Sequence, residues 1–273
     1  MDINTINAFI VAQEATLRLS VFAGVFIALS LWEILAPRRE LSQAKATRWT
    51  HNLAIVVISS ICVRVLFPAS AVGGAVVANQ AGWGLFNLVA VPSWLAVALA
   101  VIALDMLIYL QHVIFHAVPI LWRLHRVHHA DLDFDITTGI RFHPLEIILS
   151  MLIKLTAIFL LGAPILAVII FEILLNATSI FNHGNIRLPL GLDRVLRRLI
   201  VTPDMHRVHH SSVRKETNSN FGFNLSCWDR IFGTYINQPA AGHKAMQIGL
   251  NEYREAKKTN RLASMLSLPF HKK

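Results

Sequence analysis

The sequence predicts an all-α integral membrane protein, a helical bundle of about four to five spans that includes a short hairpin. Three observations predict this class. Hydrophobic residues make up 55% of the 273-residue chain and charged residues only 15%, and the mean hydropathy is +0.53, values foreign to soluble domains. Residues 65–104 contain no charge at all, and one span takes roughly 20 residues. Thirdly, histidines recur at helical spacing near the ends of apolar segments.

The candidate spans are residues 17–35, 52–71, 92–110, 145–161 and 165–181. The last two form the hairpin, which turns at Gly162, Ala163 and Pro164. Lys154 and Glu172 each lie nine positions from Ala163, so we expect them at similar depth and paired across the hairpin, which lowers the cost of two charges in lipid. Snorkelling or a water-filled cavity is the alternative.

Basic residues set the orientation of the spans. The first loop holds Arg38, Arg39, Lys45 and Arg48, whereas residues 68–92 hold no basic residue. The positive-inside rule therefore predicts that the first loop is cytosolic, and counting crossings places all the clustered histidines on that side. Residues 192–199 combine leucines at helical spacing with arginines, which indicates an interfacial helix. Anionic lipid, and no nucleic acid, accounts for much of the formal +9 charge.

The histidines carry the chemistry. His-Arg-Val-His-His occurs twice, and a His-x-x-x-His pair precedes the first copy. Side chains three and four apart share a helix face, so each group can aim several imidazoles at one point. A lone buried histidine is usually a core residue, but clustered rings are costly unless a cation organises them. Eight ligands exceed one tetrahedral zinc and favour a two-metal site. These eight are His112, His116, His125, His128, His129, His206, His209 and His210.

Ligand type narrows the chemistry. Cys62 and Cys227 have no Cys-x-x-Cys partner, so nitrogen ligands must hold the metals. The His-Glu-x-x-His arrangement of a hydrolytic zinc site is absent. Two irons at the membrane surface suit a different task, the activation of dioxygen to attack an unactivated carbon–hydrogen bond of a lipid.

The ordered motifs resemble the fatty acid hydroxylase and sterol desaturase superfamily of membrane di-iron oxygenases. The resemblance covers roughly residues 105–235. Besides the three histidine groups, or histidine boxes, it includes Phe-His-Pro-Leu-Glu at 142–146, Glu-Thr-Asn-Ser-Asn-Phe-Gly at 216–222 and Trp-Asp-Arg-Ile-Phe-Gly-Thr-Tyr at 228–235.

The resemblance implies a cytosolic helical cap that holds the histidine-rich dimetal site. It also implies that all eight histidines are ligands and adds His183 as the ninth. Where some relatives have a further histidine four residues away, this chain has Ser179 and Arg187. Water, His143 or Asn220 could fill that position. His143 could instead hydrogen-bond at the entry to the hairpin, and Asn220 could orient a ligand from a second layer.

The resemblance also implies an iron-dependent, O2-using oxidoreductase of lipid biosynthesis that hydroxylates or desaturates a sterol, fatty acyl chain or related lipid. It would use two Fe ions, with zinc as a possible substitute. Its electrons would come from a separate reductase, cytochrome b5 or ferredoxin. The site would face the cytosol at the plasma or inner membrane or the endoplasmic reticulum. We expect an N-terminal transmembrane region (1–104), a catalytic domain including the hairpin (105–236) and a cytosolic tail (237–273).

Two other classes were weighed against this interpretation. A histidine-rich membrane protein that binds or transports metal, without oxygenase activity, would place ligands along the spans at mid-depth. A membrane cytochrome would need histidines facing one another across spans. The clustering at one end of the apolar segments favours the oxygenase.

Overall fold

The structure, a computed structural model, describes residues 12–271, so the first eleven residues of the expected N-terminal region and the last two of the tail lie outside it. Within those residues the regular elements are helical, with three isolated β-bridges. The α-helices in chain order are α1 (Glu14–Leu35), α2 (Lys45–Leu66), α3 (Ser70–Gln80), α4 (Leu85–Leu88), α5 (Ser93–Ala117), α6 (Pro119–His129), α7 (Pro144–Leu161), α8 (Ile165–Asn182), α9 (Leu190–Leu196), α10 (Pro203–His209), α11 (Arg214–Thr217), α12 (Cys227–Ile231), α13 (Gly242–Ala245), α14 (Ala256–Thr259) and α15 (Leu262–Ser267).

Five segments are long and apolar enough to cross a membrane, which confirms the all-α membrane class. Four of them are α1, α5, α7 and α8, and the fifth is the run Lys45–Leu88 from α2 to α4. Many of their leucines and isoleucines are exposed, including Leu19 at 68% and Leu35 at 82%. Such exposure of large apolar side chains fits contact with lipid.

The uncharged stretch after α2 does not form a simple loop. The chain breaks at Phe67, and α3 packs against the α7–α8 hairpin, with Ala71, Ala75 and Ala78 buried. Gly84 and Gly162 make the closest approach: a Cβ on Gly84 would lie 2.0 Å from the Gly162 backbone nitrogen. Both glycines also have positive φ, so this contact fixes the turn of the hairpin only because neither residue has a side chain.

The predicted charge pair inside the membrane is confirmed. The Lys154 ammonium donates to Glu172 Oε1 across the hairpin. A second cation was not foreseen: Arg18 of α1 donates to Glu172 Oε2 at 2.7 Å. Glu172 therefore ties three helices together, and each partner lowers the cost of the others in lipid.

The long helices share one functional end. The C-terminal ends of α1, α5 and α8 and the N-terminal ends of α2 and α7 all lie beside the clustered histidines, as contacts from Pro37, Arg48 and Glu146 show. The first loop therefore lies on the same side as the histidine groups, as predicted. The opposite end carries the hairpin turn and Gly84.

The C-terminal residues fold back onto this end. Arg126 of α6 donates to the carbonyl oxygens of Leu268 at 2.6 Å and His271 at 2.8 Å. Met265 and Leu268 are buried in a cluster with Val127. The tail had no motif that could be interpreted from sequence, and its role here is to pack α6, the helix that carries the first pentapeptide.

Candidate metal centre

Nine histidines meet in two buried groups at the shared end of the helices. In each group, one ring nitrogen per histidine lies within 4.8 Å of all the others. These are the nine histidines singled out in the sequence, the eight of the boxes and His183. The first group contains five, His112, His116, His125, His129 and His209, and the second contains four, His128, His183, His206 and His210.

Each pentapeptide divides its histidines between the groups. In the first repeat His125 and His129 enter the five-histidine group while His128 enters the four-histidine group. In the second repeat His209 lies in the five-histidine group, while His206 and His210 lie in the four-histidine group. The expectation that each repeat aims at one point is therefore wrong. A helix turns about 100° per residue. Rings four positions apart therefore stay together, His125 with His129 and His206 with His210, whereas His128 and His209, three positions after the first histidine of each repeat, reach the neighbouring group.

Four helices end at the two groups. His116 lies in the last turn of α5, and the histidines of the pentapeptides lie in the last turns of α6 and α10 or just beyond. His183 directly follows α8. Proline begins both α6 and α10, where its missing N–H costs nothing. Because helix C-termini carry partial negative charge, four of them pointing at one region favour cations there.

Within each group the ring nitrogens have the spacing of ligands on one ion. His183 Nε2 lies 3.1 Å from Nε2 of both His128 and His206. His129 Nε2 lies 3.1 Å from His116 Nε2 and 3.2 Å from His125 Nε2. Two nitrogens bound to one metal at about 2.0–2.1 Å are roughly 3 Å apart. The donor set therefore fits a metal in each group.

The opposite ring nitrogen, Nδ1, faces a hydrogen-bond acceptor in five of the nine. An acceptor at Nδ1 places the proton there and leaves the Nε2 lone pair facing the group centre. Three acceptors are backbone carbonyls, one is an amide and one a carboxylate. The pairs are His112 with Phe221 O at 2.8 Å, His183 with Ser179 O at 2.8 Å, His209 with Ser219 O at 2.7 Å, His116 with Asn218 Oδ1 at 3.2 Å and His125 with Glu146 Oε1 at 2.6 Å.

Several buried ring nitrogens have no protein partner among the described residues. They include Nε2 of His112 and His209 and both ring nitrogens of His210. A buried polar atom without a partner costs roughly 1–3 kcal/mol. A metal ion held in each group would satisfy them.

Six histidines of the two groups that lie outside the spans are held neutral. Burial lowers the pKa of His128, His129, His206, His209 and His210, and repulsion from neighbouring imidazoles lowers it further. Burial also lowers the pKa of His183 to about 3. Because only a neutral imidazole has a free lone pair, these rings can bind metal without first losing a proton.

Asp131, Asp133 and Asp135 form a buried acidic turn after the first repeat, and within the described residues none of them is hydrogen-bonded to a histidine. Arg48 of α2 donates to both oxygens of Asp131, at 2.9 and 2.8 Å, and also to Asp135. Asp133 accepts from the backbone nitrogens of the first loop at residues 42 and 43. Burial alone would raise the pKa of Asp131, but Arg48 and Arg141 lower it. The turn therefore fixes α6 to α2.

The structure places His143 and Asn220 outside both groups. His143 Nδ1 accepts from Leu145 N at 3.2 Å and caps α7, and its Nε2 donates to Leu266 O at 3.2 Å. This is the hydrogen-bonding alternative at the hairpin entry. Asn220 has a positive φ, and its amide bonds the backbone of Met205 and Ile236. Both side chains are fully engaged away from the histidines.

The two positions where relatives can have a further histidine are also accounted for. The Ser179 hydroxyl donates to Gly139 O at 2.6 Å, while its carbonyl receives the His183 Nδ1 proton. Arg187 lines a surface cleft instead of the site. Two residues that touch the histidines, Glu146 and Asn218, were not assigned this role from sequence, although both lie inside motifs already noted.

The segment at residues 228–235 serves packing. Asp229 accepts from the backbone nitrogens of Phe221 at 2.7 Å and Gly222 at 2.8 Å. Trp228 Nε1 donates to Asp105 of α5 at 2.8 Å. These bonds hold the Phe221 carbonyl, which is the acceptor for His112.

Comparison with known proteins gives a consistent result. The family model described as fatty acid hydroxylase matches residues 97–234, just over half of the chain and all nine histidines. The chain is 32% identical over 149 residues to ornithine lipid hydroxylase OlsE of Rhizobium tropici, covering 54% of this chain and 44% of that protein. It is 29% identical over 156 residues to the alkylglycerol monooxygenase of Homo sapiens, and the match covers 55% of this chain and 33% of that protein.

A third relative is the fatty acid hydroxylase vlmA of Lecanicillium sp, 26% identical over 201 residues, which cover 68% of this chain and 52% of that protein. The match therefore spans about half or less of the length of these relatives. No solved structure matches the chain.

Proposed function

This chain belongs to the fatty acid hydroxylase family, and we propose that it is a membrane oxidoreductase that hydroxylates or desaturates a lipid carbon–hydrogen bond with O2. The observation that carries the proposal is the pair of histidine groups at one end of the membrane helices. The relatives named as a lipid hydroxylase and a monooxygenase support it.

The nine histidines are the proposed ligands of two ions. Nitrogen-only donors accept iron, and zinc could substitute without redox activity. Bound iron would supply the redox chemistry that activates O2. The four-histidine group would offer an ion one nitrogen ligand fewer than the five-histidine group, and water is the candidate for that position since His143 and Asn220 lie elsewhere.

The chain's own contribution is orientation and exclusion of water. Carbonyls at Ser179, Ser219 and Phe221 fix three rings, and eight of the nine histidines are buried, His116 being partly exposed. A buried, pre-oriented site protects reactive species from water. The substrate would reach it from the lipid, because α5, which carries His112 and His116, and α8, which ends just before His183, are membrane helices.

The histidine end is proposed to face the cytosol and an electron donor there. Arg38, Arg39 and Lys45 in the first loop favour a cytosolic location for the histidine end. A separate carrier of the reductase, cytochrome b5 or ferredoxin type would deliver electrons from that side. The residue ranges 1–104, 105–236 and 237–273 remain the proposed N-terminal membrane region, catalytic domain and tail.

The test is lipid mass spectrometry of cells that express the chain under isotopically labelled O2. We expect a lipid that gains one labelled oxygen atom, or one that loses two hydrogens if desaturation dominates. The paired variants His128→Ala and His209→Ala, one ligand from each group, should abolish the product, while His143→Ala should keep it. Unchanged lipids together with altered zinc uptake would replace the oxygenase with the metal-transport alternative.

A further inference from the structure

A basic cleft lies beside the metal centre at the level of the membrane surface. It has a volume of about 410 Å³, and its walls come from the end of the first span and the segment after α8. A β-bridge between Pro37 and Ile186 joins these two segments, and Arg187 N donates to Ala36 O at 2.9 Å. The lining residues are Arg38, Arg187, Leu188, Pro189, Leu190 and Lys244.

Two of its three cations are free. Within residues 12–271, neither the Arg187 guanidinium nor the Lys244 ammonium has an ion-pair or hydrogen-bond partner, and both side chains are exposed. Arg38 is bound to Asp204 through two nitrogens, at 2.9–3.1 Å. Asp204 is shared with Arg207, so its charge is already balanced. The cleft is therefore positive and lacks an anion.

The depth of the cleft matches that of lipid headgroups. α1 ends at Leu35 and α8 at Asn182, so Arg38 follows the end of a span by three residues. At no more than about 3.5 Å per residue, its backbone lies within about 10 Å of that end. The headgroup layer occupies this zone, outside a hydrocarbon core of about 30 Å.

Exposed apolar side chains border the same cleft. Leu190 is 68% exposed on its wall, and Leu35, which precedes Arg38 by three residues, is 82% exposed. The apolar face continues along α9 at Leu192 and Val195, consistent with the interfacial helix expected there, although Arg197 is buried against Asp193 instead of facing lipid. A ligand suited to this surface has an anion at one end and hydrocarbon at the other.

We propose that this cleft binds the phosphate of an anionic membrane phospholipid through Arg187 and Lys244, with its chains along Leu35 and Leu190. The proposal concerns binding alone and does not depend on oxygenase activity. A bound headgroup lies near the four-histidine group, because Arg38 and Arg207 share Asp204 and Arg207 directly follows His206. Anionic lipid therefore stabilises the segment that carries His206.

The test uses the full chain in neutral detergent, titrated with short-chain phosphatidylglycerol while its thermal unfolding midpoint is recorded. A ligand that binds the folded state raises the midpoint in a saturable manner. We expect phosphatidylglycerol to raise it and phosphatidylcholine to have little effect. The double variant Arg187→Gln with Lys244→Gln should weaken phosphatidylglycerol binding roughly tenfold to thirtyfold, since each cation near the surface contributes about 1 kcal/mol.

The matched control is Arg194→Gln with Arg198→Gln. These two arginines are also exposed, and they lie at α9, outside the cleft. The control should bind within about twofold of wild type, as should Arg187→Lys, which keeps the charge. If the double variant cannot be purified, the single variants carry the test, each with a loss of about threefold to fivefold.

Three results would overturn the proposal. Equal weakening in the control pair would mean diffuse attraction by the whole basic surface. Wild-type affinity in the cleft variants would mean that the lipid binds elsewhere. Inorganic phosphate that gave the same midpoint shift at the same concentration would mean a site for a soluble anion, since lipid chains would then add nothing.

Discussion

Glu146 Oε1 lies 2.6 Å from Nδ1 of His125, and it is the only carboxylate in the described part of the chain that contacts a histidine of either group. The other acceptors at Nδ1 are backbone carbonyls and the Asn218 amide. A carboxylate makes its imidazole a stronger donor to metal than a neutral acceptor does. The five-histidine group thus has one ligand with added negative charge.

Replacing Glu146 with Gln keeps an acceptor in place but removes this charge. We expect the metal affinity of the five-histidine group to fall roughly 10–100-fold, with little change in overall fold. The loss of affinity is measured by the rate at which a chelator removes metal from the protein, with the metals identified by mass spectrometry. Glu216→Gln is the matched control, because Glu216 is buried but bonds Ala240 N and no histidine. Release from Glu146→Gln at the wild-type rate would contradict the role.

The variants His183→Ala and His143→Ala distinguish a histidine that binds metal from one that caps a helix. His183 Nε2 lies 3.1 Å from two other ring nitrogens, so its loss should reduce the metal content from about two ions per chain to about one or fewer. His143 contacts no histidine of the groups, and its removal should cost about 0.5–2 kcal/mol of stability as a lost helix cap while leaving the metal content intact. Metal analysis and thermal unfolding of both variants give the answer. Equal metal content in the two would remove His183 from the ligand set.

Lys154 and Glu172 should be energetically coupled. Removal of one member of a buried pair leaves an unpaired charge, so Lys154→Met and Glu172→Gln should each destabilise strongly, by about 3–5 kcal/mol where fully desolvated. The double variant should recover part of the loss, with a coupling of roughly 1–3 kcal/mol. Arg18 would retain some of the Glu172 interaction in Lys154→Met and reduce the single effect.

The measurement is unfolding in lipid or detergent of the wild type, both single variants and the double variant. The exposed pair Lys258 and Glu255 is the control, since both side chains are more than 60% exposed and surface pairs contribute little. Strict additivity at Lys154 and Glu172 would mean that the charges act independently of each other.

His243 makes stability depend on pH. Burial lowers its pKa to about 4, with Asp204 opposing the shift, whereas an unfolded histidine titrates near pH 6.5. Between these values the unfolded chain binds a proton that the folded chain does not. The stability contribution is therefore complete above about pH 6.5 and falls as the pH drops towards 4.

His243→Gln removes this titration. Its thermal midpoint should decline less than that of the wild type between pH 6.5 and pH 4, by at least about 2–4 °C. Comparing the two proteins cancels the contribution of the other histidines, which both retain. Parallel curves over that range would show that His243 is protonated in the folded state as readily as in the unfolded chain.

The sequence predicted those features that depend on residues close together along the chain. Histidines three and four apart on helices had to share a face, and apolar length defined the spans. The pairing of Lys154 with Glu172 followed from their equal distance to the turn. Arg18 could not be found in this way, because the position of α1 beside the hairpin depends on long-range packing.

The same limit applies near the metal centre. The acidic turn could not be assigned from sequence, since its partner Arg48 is more than 80 residues away. The division of each pentapeptide between two groups depends on how α6 and α10 face each other, which spacing alone does not define. The role of His143 was ambiguous, because a histidine just before Pro144 at the start of a helix is compatible both with capping and with metal binding.

That division would make two bound ions interdependent. Because α6 and α10 each supply rings to both groups, a rotation of either helix would disturb both coordination shells at once. An ion in one group would hold the helices in the orientation that the other group needs, so a second ion would bind a preformed set of ligands at a smaller cost in conformational entropy. Occupancy should rise cooperatively, with few chains carrying a single ion at intermediate metal concentration.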